Sequence, residues 1–152
     1  MGGCCSLPVD TADVTPGVCP KSVTHGKRVP LITLKSLLLP RALEHLKPDM
    51  TYYFCPEATC EVTYINDGGD VFTLTDLKVP VYPKDDGDDV PVCYCFGWTR
   101  RRLREDLARH GHSTSPERIK ANVQCGVCGC EVNNPQGSCC LGNVQRTIRE
   151  MS

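Results

Sequence analysis

TYYFCPEATCEVTYIN, residues 51–66, decides the fold, because it sets two short strands on either side of a pair of cysteines. The aromatic-rich TYYFC predicts one strand, and the alternation of apolar and polar residues in EVTYIN predicts the next. Cys55 and Cys60 then lie on the turn between the strands, where two thiolates form half of a tetrahedral zinc site. The DGGD that follows predicts a hairpin turn, which pairs VFTL with the preceding strand.

The residues that would complete this zinc site lie nearer the N-terminus. Cys19 precedes a proline, and a usual zinc knuckle would read Cys-Pro-x-Cys, but its last position here is Ser22. A neutral serine hydroxyl is a poor zinc ligand. Cys4 or Cys5 could fold back to supply the fourth ligand, or His25 could do so. If none of them does, the zinc site is weakened or absent.

A second group of cysteines flanks a predicted helical hairpin. Cys93 and Cys95 come just before it, and after about thirty residues, the size of a supersecondary unit, the chain continues with Cys128, Cys130, Cys139 and Cys140. Cysteines before and after such a hairpin can converge on one 2Fe–2S cluster, which takes four ligands, usually thiolates. The NNPQG turn brings Cys130 back toward Cys140. Four thiolates suit zinc equally, so spacing leaves these two options even, with a disulfide the weaker alternative.

Cap and breaker residues predict other elements in the first half of the chain. VPLIT (29–33) predicts a strand, after which Thr33 caps a helix over LKSLL and Pro40 opens a second helix over RALEHLK. LKVPVY (77–82) predicts an edge strand, since Pro80 restricts where it can pair. The PKDDGDDVP that follows is typical of a solvated linker.

Helices dominate the second half. Thr99 is the predicted cap of a helix that Gly111 ends, Ser115 opens the next helix, and the tail from Leu141 predicts a third. The arginine run that begins at Arg100 predicts a solvated helix face, with a docking patch for an acidic partner as the alternative. Strands followed by helices make the fold class α+β: a small antiparallel sheet with a zinc-knuckle hairpin, then a helical hairpin region that holds an iron–sulfur cluster.

Composition and charge limit the function. Twelve cysteines in 152 residues without a secretory signal favour a reducing, cytoplasmic compartment in which clustered cysteines hold metal. The formal net charge of −1 argues against nucleic acid as a partner, and no stretch approaches the roughly 20 apolar residues of a membrane span. We find no nucleophile–base set, phosphate-binding glycine loop or carboxylate pair, so we expect a protein that is not a hydrolytic enzyme.

Three strings, FCPEATCEVTYIN, VPVCYCFGWT and CEVNNPQGSCCLGNV, resemble the N-terminal domain of CopZ-type copper chaperones, which carries a 2Fe–2S cluster and zinc. The resemblance implies that the cluster ligands are Cys93, Cys95, Cys130 and Cys140. It also implies zinc on Cys19, Cys55 and Cys60, with the fourth ligand at the position of Ser22, and we take Cys5 as the substitute. The Cys93-Tyr-Cys95 pattern is also similar to bacterioferritin-associated ferredoxins, whose later pair is Cys-x-x-Cys, as at Cys125 and Cys128.

The resemblance also sets the expected organisation and function. CopZ-type chaperones have a second, ferredoxin-like domain with a Met-x-Cys-x-x-Cys copper loop, and we expect a standalone form without it. We expect a flexible leader (1–18), a zinc-binding half (19–84) and a helical 2Fe–2S half (85–152) in one compact unit.

The expected function is that of a redox or metal-handling accessory protein, which transfers electrons or reduces metal ions in copper or mercury trafficking. Its expected partner is a metal chaperone, a metal transporter or a redox protein. One alternative is a metal- or redox-sensing interaction module with structural metals. The other is sequestration of soft ions such as Cu⁺ by the surplus thiols Cys4, Cys5, Cys125, Cys128 and Cys139.

Overall fold

In the computed structural model, which describes residues 17–152, four short antiparallel strands form one sheet in the order β1-β2-β3-β4. The strands are β1 (Lys27–Val29), β2 (Tyr52–Phe54), β3 (Val62–Asn66) and β4 (Val71–Thr73). Tyr53 pairs with Ile65 across β2 and β3, and with Arg28 across β1 and β2. The strands predicted on both sides of the cysteine turn and after the DGGD turn are confirmed, and so is the α+β class.

The central strand β3 is buried on both faces. Tyr64 packs in the first hydrophobic core with Tyr52 and Phe54, and Val62 and Ile65 pack against the cysteines on the other side. All five residues of β3 are buried, although the sequence predicted a polar face. The strand therefore lies between a hydrophobic core and a cysteine cluster, which explains why its apolar alternation is incomplete.

Two short helices cover the sheet: α1 (Leu31–Leu37) and α2 (Pro40–Leu43). The predicted strand over 29–33 is wrong beyond Val29, because Pro30 is the N-cap and the chain turns into α1. Thr33 lies within α1 and does not cap it; its hydroxyl donates a hydrogen bond to the Glu131 carbonyl at 2.6 Å. The predicted edge strand over 77–82 is also wrong, since the segment makes an isolated bridge from Leu77 to Leu38 and then forms a 3₁₀ turn.

The second half is mainly helical. A two-stranded ribbon precedes four helices: β5 (Pro91–Cys93), β6 (Trp98–Thr99), α3 (Arg100–His110), α4 (Ser115–Gln124), α5 (Cys130–Asn133) and α6 (Leu141–Met151). The Thr99 hydroxyl accepts a hydrogen bond from the Arg102 N–H at 3.1 Å, so the predicted cap is confirmed. Gly111, with φ +76°, ends α3 as predicted. No helix within residues 17–152 combines the length and the hydropathy needed to cross a bilayer.

A second hydrophobic core fills this half. It includes Val92, Leu103, Ile119 and Val144, together with Cys93 and Cys140. The two halves meet through packing of α1 on α5 and through polar contacts to backbone carbonyls. The buried Tyr64 hydroxyl donates to the Pro135 carbonyl at 2.5 Å, and Lys84 Nζ donates to the Glu57 and Cys60 carbonyls at 2.6 and 3.0 Å.

The side chains of the arginine run contact other residues of the same chain. Arg101 and Arg104 pair with Asp89 and Asp88 at 2.8 and 3.1 Å, so they hold the aspartate-rich linker against α3. The Arg102 guanidinium lies over the buried Trp98 ring, 3.8 Å from its centroid. These arginines are partly exposed, but their internal partners do not support a free docking patch for an acidic protein.

Asp106 joins the two helices of the hairpin. Its carboxylate accepts hydrogen bonds from the Ser113 hydroxyl at 3.0 Å and the Thr114 N–H at 2.6 Å. Burial pushes the pKa of Asp106 up, but these hydrogen bonds outweigh it, and the pKa lies below its usual value. The carboxylate therefore stabilises the hairpin in its charged form.

Asp106→Asn is expected to lower the free energy of unfolding by about 1.5–3 kcal/mol, the range for hydrogen bonds to charged groups. The loss arises because the amide oxygen can replace Oδ2 only without its charge, and the amide nitrogen in place of Oδ1 cannot accept from the Thr114 hydroxyl, which donates to that atom at 3.0 Å. Since the folded pKa is lowered, the stabilisation is present above about pH 4 and disappears as the pH falls through the lowered pKa. Urea unfolding at pH 7 and at pH 3 measures both effects. Glu105→Gln, at the exposed neighbouring position, is the control and should change little.

Candidate metal centres

The first centre is built on the turn between β2 and β3. Cys55 follows β2, and its N–H donates to the Thr63 carbonyl at 2.9 Å, which continues the pairing of the two strands. The Cys60 N–H donates to the Glu57 carbonyl at 3.2 Å and closes the turn. The hairpin therefore fixes both thiols on one side of the sheet.

Cys19 supplies the third thiol. The turn that contains it is closed by hydrogen bonds between its backbone and those of Val23 and Thr24, at 2.8 and 2.9 Å. The Sγ atoms of Cys19, Cys55 and Cys60 all lie within 4.8 Å of one another, and all three residues are buried. The Cys19 and Cys60 Sγ atoms are 3.8 Å apart.

Ser22 occupies the fourth side of this group. Its Oγ lies 3.5 Å from the Cys55 Sγ, and its N–H donates to the Cys19 Sγ at 3.5 Å. His25 is exposed, and its imidazole is not among the potential metal ligands that the described residues gather here. Cys4 and Cys5, the other candidates for a fourth ligand, lie outside the described residues.

The environment of these thiols favours at least one thiolate. Burial raises the pKa of Cys19, but hydrogen bonds from Ser22 and from the Lys21 backbone outweigh it and bring the pKa to about 7. Burial raises the pKa of Cys55 above its usual value. Three close soft sulfur ligands suit Zn²⁺ or Cu⁺, and a bound cation would offset the cost of burying the thiolates.

The second centre contains the four cysteines that the resemblance predicts for the cluster. Cys93 ends β5 and Cys95 lies in the turn to β6, while Cys130 begins α5 and Cys140 is the N-cap residue of α6. The Cys95 and Cys130 Sγ atoms are 3.5 Å apart, and Cys93 and Cys140 are buried in the same hydrophobic core. Unlike the cysteines of the first centre, no three of these four have their Sγ atoms within 4.8 Å of one another.

The two pairs differ in exposure. Cys93 and Cys140 are buried, whereas Cys95 and Cys130 are half-buried. The hydrogen bond from Cys140, helped by backbone N–H groups, lowers the pKa of Cys93 to about 7, and the same bond raises the pKa of Cys140. Burial raises the pKa of Cys130 to about 12.

The observed fold matches a solved structure along nearly its whole length. The X-ray structure of the Archaeoglobus fulgidus CopZ N-terminal domain superposes with a TM-score of 0.70 at 30% sequence identity, covering 85% of this chain and 95% of that one. The chain belongs to the CopZ N-terminal domain family. Residues 16–78 match the family zf_CopZ, described as a zinc binding domain.

A full-length relative gives the same relationship. The copper chaperone CopZ of Archaeoglobus fulgidus is 33% identical over 128 residues, which is 84% of this chain and 60% of that protein. The chain thus spans about three fifths of the curated relative. It is a CopZ-type domain that gathers three buried cysteines at one place.

In this CopZ-type domain, Asn134 holds the loop before Cys140 in place. Its buried side chain donates to the Ser138 carbonyl at 2.7 Å and accepts from the Gln136 N–H at 3.0 Å. The Tyr64 hydroxyl anchors the same loop through Pro135. The sequence analysis identified NNPQG only as a turn, and the Asn-Pro-x-Gly spacing was the available signal for this role. Nothing in the sequence indicated Lys84, because its contacts with the knuckle are long-range.

The other three cysteines within residues 17–152 of the CopZ-type domain do not join either centre. Cys125 and Cys139 are exposed, and Cys128 is half-buried. Cys128 and Cys139 line a cavity of 270 Å³ with Cys130, so they border the second centre without completing it. The Cys128-Gly-Cys130 spacing thus contributes only Cys130 to the paired thiols.

Proposed function

We propose that this chain is a 2Fe–2S and zinc-binding accessory protein that transfers electrons or reduces metal ions in copper or mercury trafficking. The observation that carries the proposal is the 3.5 Å approach of the Cys95 and Cys130 Sγ atoms, beside the core in which Cys93 and Cys140 are buried. A 2Fe–2S centre takes four cysteine ligands, two on each iron. The paired arrangement supports this centre over a single zinc ion, which would draw four thiolates together around one point.

The residues around the pairs fit such a group. The Gly129 N–H donates to the Cys95 Sγ at 3.2 Å, and hydrogen bonds to cluster sulfurs are among the features that set a cluster's potential. Tyr94, Phe96 and Trp98 give apolar cover beside Cys93. When bound, the cluster supplies a one-electron couple, and this is the chemistry the function requires.

The two pairs differ in exposure, so the centre has a buried side and a side that solvent and partners can reach. Cys93 and Cys140 face the second hydrophobic core, while Cys95 and Cys130 reach the surface. An electron partner or a metal ion as substrate would approach closest at the Cys95/Cys130 side. In this proposal the partner is a metal chaperone, a metal transporter or a redox protein. The copper assignment rests on the name of the full-length relative, and the protein performs no hydrolysis.

The zinc assignment belongs to the proposal as well. Three buried thiols on a knuckle, within the region that matches a zinc-binding family, support zinc on Cys19, Cys55 and Cys60. The proposed compartment is reducing and cytoplasmic, where clustered cysteines remain free to hold metal.

Soft-metal sequestration is the second candidate function. The observation that favours it is the accessibility of Cys125 and Cys139, which stand free of both centres. Accessible thiolates bind Cu⁺ readily. In this case the chain would bind copper through its surface thiols without needing iron.

Anaerobic visible spectroscopy with iron, sulfide and zinc analysis tests the proposed function. We expect charge-transfer bands with about two irons and two sulfides per chain, and zinc in the same sample. A colourless protein that stays free of iron after reconstitution with iron and sulfide would contradict the redox function. If that colourless protein took up Cu⁺, sequestration would be favoured instead.

A further inference from the structure

We propose that Cys19, Cys55 and Cys60 form a three-thiolate site whose fourth coordination position, beside Ser22, is open to an exchangeable ligand. The site would then load and release a soft metal ion and not hold zinc permanently. This inference rests on the proposed metal binding at these three cysteines. It concerns a position where the chain departs from the four-cysteine pattern that its family resemblance implies.

The number of protein ligands separates permanent zinc sites from exchanging ones. Structural zinc sites are closed by four protein ligands, whereas sites with three keep one position for water or an incoming group. Here three Sγ atoms lie within 4.8 Å of one another, and the group beside them is the Ser22 hydroxyl. This neutral hydroxyl hydrogen-bonds to Cys55 and is outside the Cys, His and carboxylate set that binds zinc.

Polar side chains near the site are engaged elsewhere. Glu61 pairs with Lys21 at 2.9 Å, and the Glu57 carboxylate accepts from the Thr59 hydroxyl at 3.1 Å. Within residues 17–152, the three cysteines are the complete set of potential ligands gathered at this place.

The open side of the site faces the surface. Ser22 is half-buried, and it lies between Lys21 and Val23, which are both exposed. The thiols themselves are buried, and within residues 17–152 the half-buried turn that carries Ser22 offers an approach for an exchanging ligand or a partner's thiolate. This arrangement suits the transfer of an ion between proteins, in which the incoming thiolate occupies the fourth position before a resident thiolate leaves.

The charges around the site are compatible with a monovalent ion. Three thiolates carry one net negative charge with a divalent ion and two with a monovalent ion. Lys84 lies against the knuckle carbonyls, and Lys21 stands on the adjacent turn. The Lys84 ammonium reduces the cost of the second negative charge, whereas the Lys21 ammonium is paired with Glu61. Thiolates are soft ligands, and this property also favours Cu⁺ at the site.

The test compares zinc release from the full zinc-loaded chain with that from Ser22→Cys, which supplies the missing fourth thiolate. Release is followed anaerobically by colour formation with a pyridylazo chelator. Changes beyond the first ligand shell already alter metal affinity about 10–100-fold, so we expect Ser22→Cys to release zinc at least about tenfold more slowly. Cu⁺, added as its acetonitrile complex, should displace one zinc from the wild type and much less from this variant.

Two further variants make the test decisive. Ser22→Ala loses the hydrogen bond to Cys55 but no ligand, so it should still bind one zinc at these cysteines and exchange it for Cu⁺; a variant that no longer binds this zinc would mean that the hydroxyl is a ligand and would overturn the inference. The double variant Cys4→Ser, Cys5→Ser should also match the wild type, and faster release would mean that the N-terminal segment closes the site. Equal rates for the wild type and Ser22→Cys would overturn the inference as well. Iron content and visible bands report the other centre, so a failure of the redox proposal is read separately.

Discussion

Replacing Cys140 by serine is expected to remove iron from the protein, whereas replacing its neighbour Cys139 leaves the iron content unchanged. Cys140 is 1% exposed, hydrogen-bonded to Cys93 and fixed at the start of α6. Cys139 is exposed and joins neither thiol pair. A serine at 140 offers a neutral hydroxyl in place of a thiolate, so the interior pair would lose one of its two ligands.

Iron and sulfide analysis after anaerobic reconstitution measures the effect, and the visible spectrum reports any cluster that remains. Both substitutions replace a cysteine sulfur by a serine oxygen at neighbouring positions. The two variants therefore make the same chemical change and differ in how buried the replaced side chain is. Equal loss of iron in both variants would mean that Cys139 also serves as a ligand. Unchanged iron in Cys140→Ser would refute the assignment of the Cys93/Cys140 pair.

Local signals predicted the regular elements well. Aromatic strands, a turn motif, a threonine cap and a terminating glycine are all short-range features, and the elements near Tyr52, Val62, Thr99 and Gly111 follow them. The failures also have local causes. Pro30 initiates α1 where a strand pattern continued, and Leu77 finds only an isolated partner because the backbone then turns.

The arrangement of the thiols could not be predicted from spacing. Whether Cys93 pairs with Cys130 or with Cys140 depends on where α5 and α6 begin, and these starts depend on the loop that Asn134 and Tyr64 hold. Such contacts connect residues up to 71 positions apart, and no local pattern encodes them. The family resemblance supplied the four residues, while the structure supplied the division into an interior and a surface pair.

The two centres are connected by hydrogen bonds and packing contacts that run through β3 and Lys84. Tyr64 on β3 reaches the loop before Cys140, and β3 also carries the residues that pack on the knuckle cysteines. Lys84, the last residue of the first half, holds the knuckle carbonyls next to the start of the second half. A change at one centre that moves β3 therefore reaches the other through direct contacts, so metal occupancy at one site should be assayed whenever the other is altered.

Gly137→Ala is expected to cause a large loss of stability. Gly137 has φ +71°, a left-handed conformation that costs a residue with a Cβ about 1–2 kcal/mol. An added Cβ would also lie 2.9 Å from Pro30 Cδ and 3.0 Å from Thr33 Oγ1. Relieving this overlap costs a further amount of about 1–3 kcal/mol, because α1 must move away from the loop.

Two other glycines separate these contributions. Gly126 has φ +75° with no heavy atom within 4 Å of an added Cβ, so Gly126→Ala should show only the backbone cost. Gly142 lies in α6 with open space around it, and Gly142→Ala should stabilise the helix by about 0.5 kcal/mol. Urea unfolding followed by circular dichroism ranks the three variants.

The close approach at Gly137 also bears on the second centre. The loop that Gly137 belongs to leads directly to Cys140, and Thr33, which an added methyl would push, holds the Glu131 carbonyl next to Cys130. Displacing α1 therefore disturbs one member of each thiol pair, so Gly137→Ala should retain less iron than Gly126→Ala. If the two variants unfolded at the same urea concentration and held equal iron, the contact between this loop and α1 would contribute nothing to either the fold or the site.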